Sequence, residues 1–239
     1  MRFDDPQYVR EQYATETGLA ARASLYLYGG GTDARDVVVE ELERLEPRRV
    51  LEVGCGWGEL AERIEREVGC GVVGLDLSPR MVELASERGL DAVLGDVQEL
   101  PFAAGAFDAV VAAWMLYHVR DLVRGLGEIA RVLTPGGSLV AVTNAARDFH
   151  ELWELVGRDL ATRRLTFRAE NGEEHLSRHF ASVRRRDLIA AVTFADADMV
   201  RRYVGSSELG RPYVDNVPDF AGPFVSTKHV AVFLAEKAR

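Results

Sequence analysis

Arg49-Val50-Leu51-Glu52-Val53-Gly54-Cys55-Gly56-Trp57-Gly58 is the stretch that decides the fold. A short run, apolar in the main, leads into glycines at alternate positions. Leu60, Ile64 and Val68 then recur at helical spacing. The reading is strand, tight loop, helix. Glycine has no Cβ, so a ligand can approach such a loop closely. The helix start adds unpaired N–H groups. Glu52 and Glu59 flank the loop with carboxylates, which would repel a pyrophosphate and favour a cation. The spacing is G-x-G-x-G, not the G-x-G-x-x-G of a dinucleotide site.

Working outward, the same alternation repeats. Gly71 to Asp76 reads as a second strand. Ser78 then serves as N-cap, Pro79 as first helical residue and Gly89 as the stop. Ala92-Val93-Leu94 is a third strand, ending at Gly95-Asp96, and Phe107 to Trp114 is a fourth. Leu122, Leu126, Ile129 and Leu133 form a helical face. Pro135-Gly136-Gly137 is a turn before a fifth strand, Ser138 to Thr143. Strands that are apolar throughout, separated by helices, predict an α/β fold with a doubly wound, mostly parallel sheet covered on both faces. Upstream, residues 6–28 read as helical, and Val37, Val38, Leu42 and Leu45 mark a helix ended by Pro47. Downstream, Leu152, Leu155 and Val156 suggest a helix, Ser182 to Phe194 a bent strand, Met199 to Gly205 a helix and Val225 to Ala235 a last strand. The two late strands are expected to form a hairpin at the sheet edge.

Composition narrows the function. The 239 residues carry a net charge of −9, which disfavours nucleic acid as a partner. The one basic run, Arg184-Arg185-Arg186, reads as a solvated strand face. Two cysteines, Cys55 and Cys70, make no disulfide framework and fit a reducing compartment. No long apolar run or signal peptide is evident, so the expectation is a cytoplasmic, soluble protein without membrane attachment. Oligomeric state is left open.

Five separated motifs between about residues 49 and 144 together resemble the class I methyltransferases that use S-adenosylmethionine (SAM). They are the glycine loop, Asp76 about 20 residues on, Asp96-Val97, Leu100-Pro101-Phe102 with Phe107-Asp108, and Arg131 to Gly137. The ends resemble bacterial small-molecule methyltransferases. That resemblance implies a seven-stranded sheet whose last strand is antiparallel, helices on both faces and an N-terminal helical cap. It implies one domain, with residues 1–46 as the cap, 47–145 as the SAM-binding core and 146–239 as a substrate-side insertion and C-terminal hairpin. It also implies a SAM site built from Glu52, Gly54, Cys55, Gly56, Gly58, Asp76, Leu77, Asp96, Val97 and Trp114. Asp76 would accept from the ribose hydroxyls. Asp96 would accept from the adenine amine, with the Val97 N–H on a ring nitrogen.

The implied reaction is direct in-line displacement onto an O, N or C atom of a small-molecule acceptor, with S-adenosylhomocysteine as product. His118, just past the fourth strand, is a candidate base, a ligand contact or a packed histidine. Tyr117 reads as a pocket wall more than a base, since a phenol's ordinary pKa is near 10. Tyr13, Tyr117, His118 and Trp153 are the candidate substrate contacts, with Phe149, Phe180, Tyr203 and Tyr213 as further possible walls. His175 and His179 stand four apart but lack the H-E-x-x-H pattern, so no metal is assigned. A methyltransferase acting on RNA or protein, and a SAM-binding protein without catalysis, stay open beside the leading reading.

Overall fold

The computed structural model describes residues 31–158, 166–206 and 210–239. The helix expected over 6–28, and Tyr13 within it, lie outside the described residues. Helix α1 (Ala34–Leu45) opens on Asp33, whose side chain accepts from the Arg35 N–H, and closes at Glu46 in the left-handed region. The alternating core follows: β1 (Arg49–Val53), α2 (Glu59–Val68), β2 (Gly71–Asp76), α3 (Pro79–Glu87), β3 (Asp91–Leu94) and β4 (Phe107–Ala113). Next come a 3₁₀ turn (Leu116–His118), α4 (Leu122–Val132) and β5 (Leu133–Asn144). Ser78 caps α3 with Pro79 in its first turn, as its sequence requires.

The sheet has seven strands in the order β3-β2-β1-β4-β5-β7-β6. The first five are mutually parallel, and β7 (Phe224–Glu236) runs antiparallel to both neighbours, β5 and β6 (Ser182–Phe194). One face packs Leu122, Leu126 and Ile129 of α4 against Leu51, Val110 and Phe233. The other packs Val38 and Leu42 of α1 and Ile64 of α2 against Val50, Val111 and Val140. Burial on both faces is why these strands are apolar without alternation. Chain order reverses between β1 and β4, and ligands in such sheets bind beyond the strand ends at that point.

Two expectations change in detail. Pro135-Gly136-Gly137 does turn the chain, but as an outward bulge inside one continuous β5: Phe107 pairs with Leu133 and Ala109 with Ser138. The late strands pair along their full lengths, yet no tight hairpin joins them. Residues 195–223 intervene, carrying α7 (Ala197–Gly205) and a 3₁₀ segment (Arg211–Asn216), and β7 takes the interior position while β6 forms the edge. A short helix α6 (Gly172–Leu176), unmarked by any apolar periodicity, precedes β6, and α5 (His150–Leu155) follows β5.

Because Asn144, the last residue of β5, pairs with Val230, the strand segment Phe224 to His229 runs on past β5 with β6 as its strand partner, while the N–H groups of Ala145 and Phe149, beyond β5, donate to the His229 and Thr227 carbonyls at 2.9 and 2.8 Å. At ~3.3 Å per residue this overhang is about 20 Å long. A third apolar cluster forms on it, from Phe149, Leu152 and Trp153 with Val192, Phe194, Val200 and Val204. Glu151 fastens α5 to the overhang: its carboxylate accepts from the Thr227 N–H and hydroxyl, each at 2.8 Å, and from the Ser226 hydroxyl at 2.9 Å. These donors hold its carboxyl down at about 2, against the opposing effect of burial.

Candidate functional site

The glycine loop leaves β1 with Gly54, Gly56 and Gly58 all at positive φ. Gly54 and Gly58 are also required by space. A Cβ on Gly54 would lie 2.7 Å from Met115 Cβ, and one on Gly58 only 2.2 Å from Leu90 Cδ1. The Leu75 carbonyl of β2 accepts from the N–H groups of Gly54 and Cys55, at 2.7 and 3.1 Å, so the loop is pinned to the neighbouring strand. Cys55 is buried within it, and burial raises its thiol well above the ordinary range. It is no nucleophile in this state.

Asp76 ends β2. Its Oδ2 accepts from the Gly56 N–H at 2.9 Å and its Oδ1 from the Ser78 N–H at 2.8 Å. The backbone of Leu77 adds a further hydrogen bond. Burial nevertheless raises the Asp76 carboxyl above its usual range, because these donors offset it only in part. Glu52, on β1, is 3% exposed. Its Oε2 is buried with no hydrogen-bond partner among the described residues. Burial first, and the neighbouring Asp76 charge second, push its carboxyl up to about 8. A buried acid and a half-buried one therefore share the end of β1 and β2, and the buried one has an oxygen with no partner among the described residues. An uncompensated buried carboxylate is costly, and a cation is the group that would compensate it.

Asp96 stands beyond β3, next to Asp76, since the Gly95 N–H donates to the Asp76 carbonyl at 3.0 Å. Its carboxylate takes the side-chain amide of Gln98 at 3.0 and 3.1 Å. Val97 buries its side chain in the core against α4. The loop behind it is clamped by Arg131, which sequence reading left as a motif letter, and by Glu128, which it did not mark. Glu128 accepts from the Leu100 N–H at 2.9 Å, and Arg131 donates to the carbonyls of Leu100 and Phe102 at 3.0 and 2.8 Å. Asp108 lies at the opposite end of the sheet, where its carboxylate accepts from the N–H groups of Arg48 and Arg49. Its part in the motif is structural.

Past β4, Trp114 adopts a positive φ of 53°. A non-glycine residue held there stores strain, and such strain collects at functional sites. Its indole N–H donates to Asn144 Oδ1 at 3.0 Å, joining the ends of β4 and β5. The turn it makes lays Met115 over Gly54 and leads into the 3₁₀ turn, where Tyr117 and His118 stand half-buried with ring centres 4.5 Å apart. Thr166 donates from its hydroxyl to the Tyr117 carbonyl at 3.2 Å. Sequence alone did not single out Met115, Asn144 or Gln98. A polar residue closing an apolar strand was the available signal for Asn144.

The remaining candidates sit elsewhere. Trp153 is 7% exposed and packed in the overhang cluster with Tyr203, its indole covered by the Arg158 guanidinium at 4.7 Å. Phe149, Tyr203 and Tyr213 belong to the same cluster, whereas Phe180 lies in the core under the sheet. His175 and His179 are held below the usual imidazole range by burial and by Arg178. No group of three metal-ligating side chains occurs among the described residues. Each arginine of the basic run has an acidic neighbour: Arg184 with Glu41, Arg185 with Asp187 and Arg186 with Glu40. No described helix is long and apolar enough to cross a membrane.

Known proteins carry the same pattern. Residues 51–141 match a family model described as a methyltransferase domain. Over 190 residues the chain is 33% identical to phthiotriol/phenolphthiotriol dimycocerosates methyltransferase 1 of Mycobacterium ulcerans, covering 74% of this chain and 70% of that protein. The chain belongs to the class I SAM-dependent methyltransferases. This methyltransferase is also 42% identical over 103 residues to demethylmenaquinone methyltransferase of Thermus thermophilus, 40% of this chain and 47% of that one. It thus spans about half the length of that relative. In fold, the methyltransferase superposes with a TM-score of 0.65 at 20% identity on phosphoethanolamine N-methyltransferase 2 of Haemonchus contortus, a complex with S-adenosylhomocysteine. That likeness covers 100% of this chain and 61% of the other.

Proposed function

We propose that this methyltransferase moves the methyl group of SAM to an O, N or C atom of a small-molecule acceptor by direct displacement. The observation that carries the reading is the buried Glu52 oxygen beside Asp76, which has no hydrogen-bond partner among the described residues. SAM, when bound, supplies a positively charged sulfonium whose methyl is open to nucleophilic attack. Glu52 and the loop Gly54, Cys55, Gly56 and Gly58 would hold the cationic amino-acid end. Asp76 would accept from the ribose hydroxyls, with Leu77 beside it. Asp96 and the Val97 N–H would read the adenine edge, and Trp114 would close the floor at β4.

The chain's own work is then alignment and exclusion of water. His118 and Tyr117 follow Trp114 at the strand end where an acceptor would sit. A base at His118 is needed only if the acceptor must lose a proton. The aromatic cluster on the overhang suits an acceptor with an apolar body. The names of the relatives, demethylmenaquinone and phthiotriol dimycocerosate methyltransferases, favour the same class. The arginines of β6, each with an acidic neighbour, make no basic stripe to favour RNA among the described residues.

Isothermal titration calorimetry with S-adenosylhomocysteine, and with NADH as control, tests the cofactor. Micromolar binding of the first and none of the second is expected. No binding of S-adenosylhomocysteine would overturn the reading. Transfer of labelled methyl from SAM across a panel of quinols, phenols, amines and lipids then tests the acceptor class.

A further inference from the structure

Gln98 bridges two parts of the site that the sequence keeps apart. Its backbone N–H donates to Asp96 Oδ1 at 2.8 Å, and its side-chain Nε2 reaches Oδ1 and Oδ2 at 3.1 and 3.0 Å. Its Oε1 accepts from the Asp121 N–H at 2.9 Å. The orientation of this amide is forced by its neighbours. A backbone N–H can only donate and an ionised carboxylate can only accept, so the oxygen must face Asp121 and the nitrogen Asp96. Asp121 in turn caps α4, accepting from the Arg124 N–H at 3.0 Å, and follows His118 closely in the chain.

A carboxylate offers about four lone-pair positions. The contacts from Gln98 occupy both positions on Oδ1 and one on Oδ2. One position on Oδ2 is left, and an exocyclic amine brings one N–H to it. We infer that Gln98 is a positioning residue for nucleobase selectivity: it fixes the Asp96 carboxylate so that its remaining acceptor site takes a base amine, and anchors it to the loop that carries His118. The inference rests on the reading of Asp96 as the adenine partner. Without the amide the carboxylate is free to turn and hydrate, and an acceptor that is not held in place discriminates poorly. A base with a carbonyl where adenine has its amine would set oxygen against oxygen, and a held carboxylate rejects it.

The test compares S-adenosylhomocysteine with S-inosylhomocysteine, which carries that carbonyl, by calorimetry on the whole chain. Wild type is expected to prefer the adenine ligand clearly. Gln98→Met, similar in size but without the amide, should lose roughly tenfold for S-adenosylhomocysteine and little for the inosine ligand, so the preference shrinks. Equal weakening for both ligands, or an unchanged preference, overturns the role of Gln98 while leaving Asp96 in place. A wild type that binds both ligands alike overturns the Asp96 reading, and Gln98 with it. Thermal melting checks the fold of the variant, and Gln98→Ala is read in the same way if the methionine does not fold.

Discussion

Asp76 Oδ2 accepts from the Gly56 N–H at 2.9 Å, so the acid that ends β2 also shapes the loop that leaves β1. The proposed ribose contact and an observed loop brace therefore fall on one carboxylate. Asp76→Ala removes both, and calorimetry should show S-adenosylhomocysteine affinity lower by roughly 100-fold. Asp76→Asn keeps an oxygen for the Gly56 N–H and should lose nearer tenfold. Normal binding by the alanine variant would place the ribose contact elsewhere.

Glu52 gives a pH dependence of defined sign. Burial pushes its folded carboxyl up to about 8, well above the ordinary glutamate value of about 4.5, so the ligand-free fold holds a proton that the unfolded chain releases. Its stability contribution is full below about 4.5 and is lost as pH rises through about 8. Glu52→Gln should flatten that decline, seen as a smaller fall in Tm between pH 6 and 8. An ammonium group beside Glu52 favours the ionised form, so wild type should release a fraction of a proton when the amino-acid end of S-adenosylhomocysteine binds there at pH 7. Titration in buffers of different ionisation enthalpy measures it, and a release unchanged in Glu52→Gln would assign the proton to another group.

Gly58→Ala should cost roughly 2 kcal/mol in urea denaturation. The new Cβ meets Leu90 Cδ1 at 2.2 Å, and φ at this position is +85°. Relief by Leu90→Ala in the double variant would separate the clash from the backbone strain, which only glycine avoids.

His118→Ala should leave S-adenosylhomocysteine affinity within about twofold. Once an acceptor is identified, turnover should fall by at least ~100-fold if the histidine is a base. An acidic limb in the wild-type pH–rate profile that vanishes in the variant distinguishes the base from a packing role, which would shift Tm and leave the profile's shape intact.

Glu151→Ala removes the acceptor shared by Ser226 and Thr227. Hydrogen exchange should quicken in α5 and at residues 224–229 and stay slow in β1 and β4. The depressed carboxyl places this contribution above pH 4.5, to be lost as pH falls toward about 2. Exchange that quickens throughout the sheet would mean that the overhang and the core open as one unit.

The parallel half of the sheet was legible because its signals are local. Strands β1, β2, β4 and β5 are largely buried apolar runs, β1 to β3 each close on a glycine or an acid, and Ser78-Pro79 caps its helix with residues adjacent in the chain. Glu52, Asp76 and Asp96 could be marked because chain order places each at a strand end. Gln98, Met115 and Asn144 could not. Their meaning depends on partners such as Asp121, Gly54 and Trp114, which only the packed sheet supplies. Trp153 was marked as a pocket residue by type, and its burial under Arg158 and beside Tyr203 depends on contacts from residues far along the chain. The exchange of a hairpin for a long connection between β6 and β7 has the same origin, because no local pattern tells which of two late strands takes the interior place.

The overhang of β6 and β7 has an evolutionary reading. The aromatic cluster proposed for an acceptor's apolar body is strung along a two-stranded arm, and the residues proposed to grip the nucleotide, with Tyr117 and His118, are set at the ends of the five parallel strands behind it. Side chains on the arm, such as Ile189 and Val225, which are 63% and 53% exposed, are free to drift without disturbing the glycine loop. A lineage can therefore change the acceptor's apolar fit by rewriting the arm and inherit the handle unchanged.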